Sequence, residues 1–258
     1  MIDAAVPVLV ALSAALYALG VQRCWAVAGH GRIIRPSQVL AAAGAFAALL
    51  VALSPPVDRG AHDDLAVHMT QHVLLLSVVP PLLALAAPLT AALYALPGSA
   101  RGRAQPAWRH VLRVQSGRWW PAWTAAAFVL ANVTVALWHV PGPYAAAVHH
   151  DGLHVLEHAS FVATATLFWW AVLGAGRPAR RGFGVLALFA ASLPATALGV
   201  LMTLATTSWY APYGTGARAV RDQQLAGVVM WAFGGAALVV AACVLFATWL
   251  RSLEPSQS

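Results

Sequence analysis

The sequence contains no lysine and only two cysteines, and charged residues make up 9% of its 258 positions. Cys24 and Cys243 lie far apart, and no Cys-x-x-Cys or Cys-x-Cys spacing occurs. This excludes a thiolate metal motif and a disulfide framework. Apolar residues make up 60% of the chain, so there are too few charges to solvate a soluble domain of this length. The main solvent of this protein is therefore expected to be lipid.

Long apolar stretches predict an all-α integral membrane protein. A bilayer core about 30 Å thick requires roughly 20 apolar residues for each helical crossing. We predict a single polytopic domain over 1–258 with about seven transmembrane helices, at approximately 5–22, 38–54, 64–96, 121–139, 152–173, 184–206 and 224–250. Pro80 and Pro81 predict a kink in the third helix. The first stretch carries Asp3 and lacks a basic leading segment, which favours a retained helix over a cleaved signal peptide.

The arginines predict the orientation in the membrane. A formal charge of +7 would suggest a nucleic-acid partner in a soluble protein, but here the arginines are spread along loops, so we expect membrane lipid and no nucleic acid. Twelve arginines follow the first, third, fifth and seventh predicted helices, and three lie in the opposite loops. By the positive-inside rule the N-terminus is outside and the C-terminus is cytoplasmic.

Eight of the ten histidines fall at the predicted outer end. His68 and His72 are one turn apart on one face of the third helix, and Asp64 lies on the same stripe. His72 would lie roughly 10 Å below the helix start, a depth at which an ionisable side chain is costly unless it faces a partner inside the bundle. His68 and His72 therefore have two possible roles. They either bind a metal or handle protons, or they only form hydrogen bonds to neighbouring backbone or hydroxyl groups.

The start of the fifth helix carries a second group. Helical rotation places three imidazoles and two carboxylates within an arc of about 120°. These are His150, Asp151, His154, Glu157 and His158. Imidazoles at one-turn spacing can converge on a metal, and neighbouring carboxylates can orient the rings. Two such pairs at one depth, with His139 at the mouth of the fourth helix, predict a metal site.

The predicted ligand set follows from these positions. The core ligands are His68, His72, His154 and His158, and His139 and His150 are further candidates. Met202 and Met230 are possible soft donors that suit Cu(I). Alternatively, these methionines fill gaps in the core. Asp64, Asp151, Glu157 and Asp222 are predicted to orient the ligands; Asp222 could instead cap the seventh helix. Copper is the expected metal and zinc the alternative.

One motif supports a competing function. His154–His158 reads H-x-x-E-H, the inverted zinc-peptidase signature, in which two histidines bind zinc and the glutamate is the general base. A membrane zinc hydrolase with Glu157 as base is therefore the enzymatic alternative to a non-enzymatic role. A non-metal scaffold or haem-binding protein is the third hypothesis, since histidines also serve as axial haem ligands.

Four blocks of sequence resemble a known family. They are the run from His68 to Leu75 continuing through Pro80–Leu85, the segment from Trp138 to Tyr144, the stretch His154–His158, and Asp222–Gly227 with Met230 and Trp231. Together they resemble the CtaG family of caa3-type cytochrome c oxidase assembly factors, over roughly Asp63 to Trp231.

The resemblance implies a multi-pass protein of the bacterial plasma membrane that is needed for maturation of a haem–copper oxidase and handles copper for the oxidase's buried copper centre. The implied partners are a cytochrome c oxidase subunit and a periplasmic copper chaperone. A different assembly factor sharing the family name is a single-span protein with cysteine ligands, and the absence of paired cysteines argues against that type.

Overall fold

The computed structural model describes residues 2–173 and 178–253, and over these residues the chain is helical and contains no strand. The prediction of an all-α protein is thereby confirmed. The helices are α1 (Ile2–Ala28), α2 (Pro36–Ala52), α3 (Pro55–Asp63), α4 (Leu65–Val73), α5 (Val79–Leu85), α6 (Pro88–Ala95), α7 (Gly98–Ser116), α8 (Trp120–Trp138), α9 (Pro141–His149), α10 (Asp151–Leu173), α11 (Pro178–Leu204), α12 (Ala217–Val228) and α13 (Gly235–Arg251).

Six segments among the described residues are long and apolar enough to cross a membrane. They are Val6–Ala28, Leu65–Leu85, Trp120–Trp138, Asp151–Leu173, Arg180–Leu204 and Ala217–Arg251. The pair α2 and α3 meets the same criteria only when taken together, with a bend of 47° between the two helices, and would make a seventh span. The bend falls where Pro55 begins α3, because proline cannot donate the backbone hydrogen bond that would continue α2.

The third apolar stretch is divided. The span Leu65–Leu85 consists of α4, a π-helical turn at Leu74–Val78, and α5. The chain then turns at Ala87, whose φ of 50° is left-handed, and α6 starts at Pro88. The residue before a proline is disfavoured in the right-handed helical region, and the left-handed conformation of Ala87 ends the helix at this point.

The basic segment after α6 is itself helical. The arginine distribution predicts a loop for these residues, whereas they form α7, which contains Pro106 and ends at Ser116. Trp108 on α7 stacks on Trp170 of α10 with ring centroids 6.0 Å apart and an angle of 11° between the planes. An aromatic stack therefore joins α7 to the arginine-rich end of the bundle.

Two glycines allow close contact between α11 and α12. A Cβ atom at Gly227 would lie 2.5 Å from the carbonyl oxygen of Gly199, closer than a carbon atom can approach. Small residues at helix crossings let backbones touch, which is a main source of packing energy in membranes. This contact fixes α12 against α11 and so positions the residues that α12 contributes to the site.

Candidate metal centre

Five histidines and one glutamate from three helical segments meet at one end of the bundle. α4 contributes His68 and His72, α10 contributes His154, Glu157 and His158, and His139 follows the last residue of α8. We call this group the histidine cluster. Ring centroids lie 4.4 Å apart for His68 and His72, 4.2 Å for His154 and His158, 5.1 Å for His68 and His154, and 5.5 Å for His72 and His139. The histidine pairs of two separate spans thus share one pocket.

Four side chains of the cluster have ligand atoms close enough together to bind one metal ion. One ligand atom each from His68, His154, Glu157 and His158 lies within 4.8 Å of the other three. Three imidazoles and a carboxylate are donors that suit both copper and zinc. The arrangement therefore has the donors and the spacing of a four-ligand metal site.

The cluster is buried, and most of its polar atoms are unpaired. His68, His72 and Glu157 are 1%, 0% and 0% exposed. Within residues 2–173 and 178–253, hydrogen-bond partners are lacking for Nε2 of His68, His139, His154 and His158, for both ring nitrogens of His72 and for both carboxylate oxygens of Glu157. Each unpaired buried polar group costs about 1–3 kcal/mol. Such a concentration of unpaired donor atoms is consistent with a site for a metal ion or another ligand.

Hydrogen bonds fix the tautomers of two of the rings. The hydroxyl of Tyr213 donates to the Ala61 carbonyl at 2.8 Å, so it accepts the proton from Nδ1 of His68 at 2.6 Å. Nδ1 of His139 donates to the Val135 carbonyl at 2.7 Å. In both rings Nε2 is then left with a free lone pair, which is the form that binds a metal.

Electrostatics favour neutral groups around the cluster. Burial lowers the pKa of His139 to about 4, since the charged imidazolium loses its hydration there. Burial also raises the pKa of Tyr213 above its usual range. The His139 side chain is therefore neutral at physiological pH, and Tyr213 keeps the proton that it donates to Ala61.

Aromatic rings enclose the inner side of the cluster. Phe161 packs against His72 and His139 with centroid distances of 5.0 Å and 6.0 Å. Tyr144 packs against His68 at 5.3 Å and has no exposed surface. Tyr210 donates its hydroxyl to the His139 carbonyl at 3.0 Å. These contacts exclude water from one side of the site and hold the imidazoles in place.

Asp222 secures the helix that carries two of the histidines. Its carboxylate accepts hydrogen bonds from the backbone nitrogens of Leu65 at 2.7 Å and Ala66 at 3.1 Å. These nitrogens have no partner inside α4, and a carboxylate at a helix N-terminus also interacts favourably with the helix dipole. The sequence predicts that Asp222 orients a histidine or caps its own helix, whereas in the structure it caps the N-terminus of α4 across the bundle.

The other predicted site residues lie outside the cluster. His150 is exposed in the break between α9 and α10, and Asp151 is exposed at the start of α10. Asp64 precedes α4 but makes no side-chain capping bond in the described structure. Met202 and Met230 are buried in an apolar cluster with Met69 and Tyr144. Tyr144 thus connects the methionines to the imidazoles.

The tyrosines and His62 are parts of the site that the sequence patterns do not predict. Tyr210 and Tyr213 lie in a loop where neither spacing nor composition marks them. His62, exposed at the end of α3, has its ring 5.9 Å from that of His154 and donates from Nδ1 to the Asp58 carbonyl at 2.9 Å. Its position among the outer histidines was the available signal, but α3 was not foreseen as a helix.

A groove of about 1390 Å³ leads to the cluster. One end is lined by Asp58, His62, Asp151, His154 and His158, and the remainder is mostly apolar and reaches Trp108 and Trp170 near α7. His154 and His158 therefore form part of both the cluster and the groove wall. An ion or a partner side chain can reach the cluster from the groove.

Comparison with known proteins gives one family. A family model described as cytochrome c oxidase caa3 assembly factor matches residues 15–252, nearly the whole chain. No curated protein and no solved structure matches the chain.

Proposed function

The chain belongs to the family of caa3 cytochrome c oxidase assembly factors, and on this basis we propose that it binds copper in the histidine cluster and supplies it to the oxidase. The observation that carries the proposal is the group of buried ligand atoms on His68, His154, Glu157 and His158 that lack a hydrogen-bond partner in the described part of the chain. Copper here is cargo, so the site must both bind and release it. Assembly-factor membership favours a non-enzymatic role and implies an oxidase partner.

The arginine distribution supports a location for this activity. With the N-terminus outside and the C-terminus in the cytoplasm, the histidine cluster faces the outer side of a bacterial plasma membrane. Copper would then arrive from the periplasm, from a soluble copper chaperone, and leave to a subunit of the oxidase. The groove supports this route because His154 and His158 line both the groove and the cluster.

The cluster's residues have distinct roles in this proposal. His68, His154 and His158 supply neutral imidazole nitrogens, and Glu157 supplies a carboxylate whose charge offsets that of the ion. Tyr213 holds His68 in the tautomer that exposes Nε2. Because His154 is only partly buried, it is the ligand best placed to accept an incoming ion and to let it go.

Metal analysis tests the proposal directly. Protein purified in mild detergent is loaded anaerobically with Cu(I), freed of excess metal and measured by elemental analysis. We expect bound copper in the wild type and a lower content in His158→Ala. His150→Ala is the matched control, since this exposed histidine lies outside the cluster and its loss should leave the copper content unchanged. Wild-type protein without bound copper, or equal loss in both variants, contradicts the proposal.

A zinc hydrolase is the second candidate, favoured by one specific observation. The structure gives the H-x-x-E-H pair, His154 and His158, a third imidazole from His68 beside Glu157. This function requires zinc in the purified protein and a hydrolytic activity that Glu157→Gln abolishes while zinc is retained. Copper occupancy without such an activity selects the assembly role.

A further inference from the structure

The histidine cluster contains more unpaired donor atoms than one ion can occupy. Eight buried nitrogen and oxygen atoms of the cluster lack partners within the described part of the chain, whereas a tetrahedral ion takes four ligands. We propose that His72, His139 and Glu157 form a second, inner metal position beside the outer position of His68, His154 and His158. This inference rests on the proposed function, since it assumes that the outer position binds metal.

The ligand atoms of His72 and His139 lie outside the group that would hold the outer ion. The group of mutually close ligand atoms found among the described residues comprises His68, His154, Glu157 and His158, and it leaves out His72 and His139. Nε2 of His72 instead lies 3.7 Å from Oε1 of Glu157, and the His72 and His139 rings are 5.5 Å apart. The two rings that the outer group omits are thus neighbours of each other, and His72 is also a neighbour of the Glu157 carboxylate.

The three inner residues have the chemistry of ligands. His72, His139 and Glu157 are 0%, 4% and 0% exposed. Nδ1 of His139 donates to the Val135 carbonyl, so the lone pair of Nε2 is available for an ion. An ion at the outer position alone would leave both His72 and His139 buried without a ligand, at about 1–3 kcal/mol for each unpaired group.

Glu157 can serve both positions. Neither of its carboxylate oxygens has a hydrogen-bond partner in residues 2–173 and 178–253. One oxygen is therefore available to each ion, and carboxylates commonly bridge paired metals about 3.5–4 Å apart. A shared negative charge between the ions also lowers their mutual repulsion.

The two positions differ in their access to the outside. His154 and His158 line the groove, and His154 neighbours the exposed His62. His72 and His139 are not among the residues that line the groove, and both pack against Phe161. The outer ion should therefore exchange quickly with a chelator and the inner ion slowly, so that copper leaves the wild-type protein in two kinetic phases.

Stoichiometry decides between one and two positions. We measure Cu(I) per protein by elemental analysis after anaerobic loading, and follow release to an excess of a Cu(I) chelator. Two equivalents with biphasic release are expected for the wild type. His139→Asn keeps a donor for the Val135 carbonyl but lacks Nε2, so it should bind one equivalent of copper and release it quickly. His154→Ala should bind one equivalent and release it slowly. The variant with both substitutions should bind none. His150→Ala should retain two.

The outcomes separate this inference from the proposed function. One equivalent in both the wild type and His139→Asn overturns the inner position and leaves the proposed outer site intact. One equivalent in the wild type and none in His139→Asn also overturns it, since both sets of residues would then hold a single ion. No copper in the wild type overturns both proposals. The wild-type value needs no variant, so a variant that fails to fold does not obstruct the test.

Discussion

The carboxylate of Asp222 lies 2.7 Å from the backbone nitrogen of Leu65, at the first residue of the helix that carries His68 and His72. It thereby connects the last transmembrane span to the start of α4. Because α4 is only nine residues long before its π-helical turn, its N-terminal cap determines how firmly both imidazoles are held.

Loss of this cap should lower the stability of the protein. We expect Asp222→Ala to lower the free energy of unfolding by about 1–2 kcal/mol, the usual value of an N-terminal helix cap. The unfolding midpoint in detergent measures this loss. Asp63→Ala removes an exposed carboxylate close to the same helix and should leave the midpoint unchanged; equal shifts in both variants would contradict the capping role.

Removal of the Tyr213 hydroxyl should lower metal affinity without changing the number of ions bound. Tyr213→Phe deletes the acceptor for Nδ1 of His68, and loss of such a supporting partner typically costs about 10–100-fold in metal affinity. Competition with a Cu(I) chelator measures the change. Tyr144→Phe is the matched control, since its hydroxyl contacts Tyr213 and leaves the bond to His68 in place. An unchanged affinity in Tyr213→Phe would show that the tautomer is set in another way.

A methyl group at the α11 and α12 crossing should destabilise the bundle. The Cβ atom of Gly227→Ala would lie 2.5 Å from the Gly199 carbonyl oxygen and 2.6 Å from the Thr203 nitrogen. Since both are backbone atoms, the helices must separate, at about 1–3 kcal/mol for overpacking. Gly142→Ala, with no heavy atom within 4 Å among the described residues, should be neutral in the same unfolding measurement. A neutral Gly227→Ala would mean that the crossing is looser than the structure shows.

The buried methionines should be dispensable for metal binding. Met202 and Met230 pack in the apolar cluster with Met69, so leucine can replace each at a stability cost below about 1.5 kcal/mol. X-ray absorption of the copper-loaded protein should show nitrogen and oxygen neighbours with no sulfur, and the copper content of both variants should equal that of the wild type. A copper–sulfur distance that disappears in Met230→Leu would restore the thioether as a ligand.

His150 does not lie where the helical repeat predicts. Its predicted place beside His154 assumed one continuous helix, in which each residue turns by 100°. α9 ends at His149 and α10 starts at Asp151, so the rotation does not carry across the break. The His154 and His158 pair lies wholly within α10, and for this pair the periodicity places both rings on the face that turns towards α4.

The capping of α4 by Asp222 and the bond from His68 to Tyr213 had no signal in the sequence. Leu65 and Asp222 are 157 positions apart in the sequence, and His68 and Tyr213 are 145 positions apart. Local patterns report on neighbours within a few turns of helix, and contacts at such separations depend on how whole spans pack. The resemblance to the assembly-factor family, by contrast, rested on short local blocks and is confirmed by the match over residues 15–252.

The sequence by itself determined that this protein is helical and suited to lipid, because hydropathy and the scarcity of charge act residue by residue. It also determined that two histidines within one unbroken helix share a face, as His154 and His158 do in α10, since that depends only on the helical repeat. Only the tertiary structure decided that the faces of α4 and α10 meet and that His139 and Glu157 join them. It also decided that eight nitrogens and oxygens of the cluster are buried without a partner among the described residues. The physical reason is that a metal site is defined by distances between atoms on separate spans, and those distances are set by packing between helices.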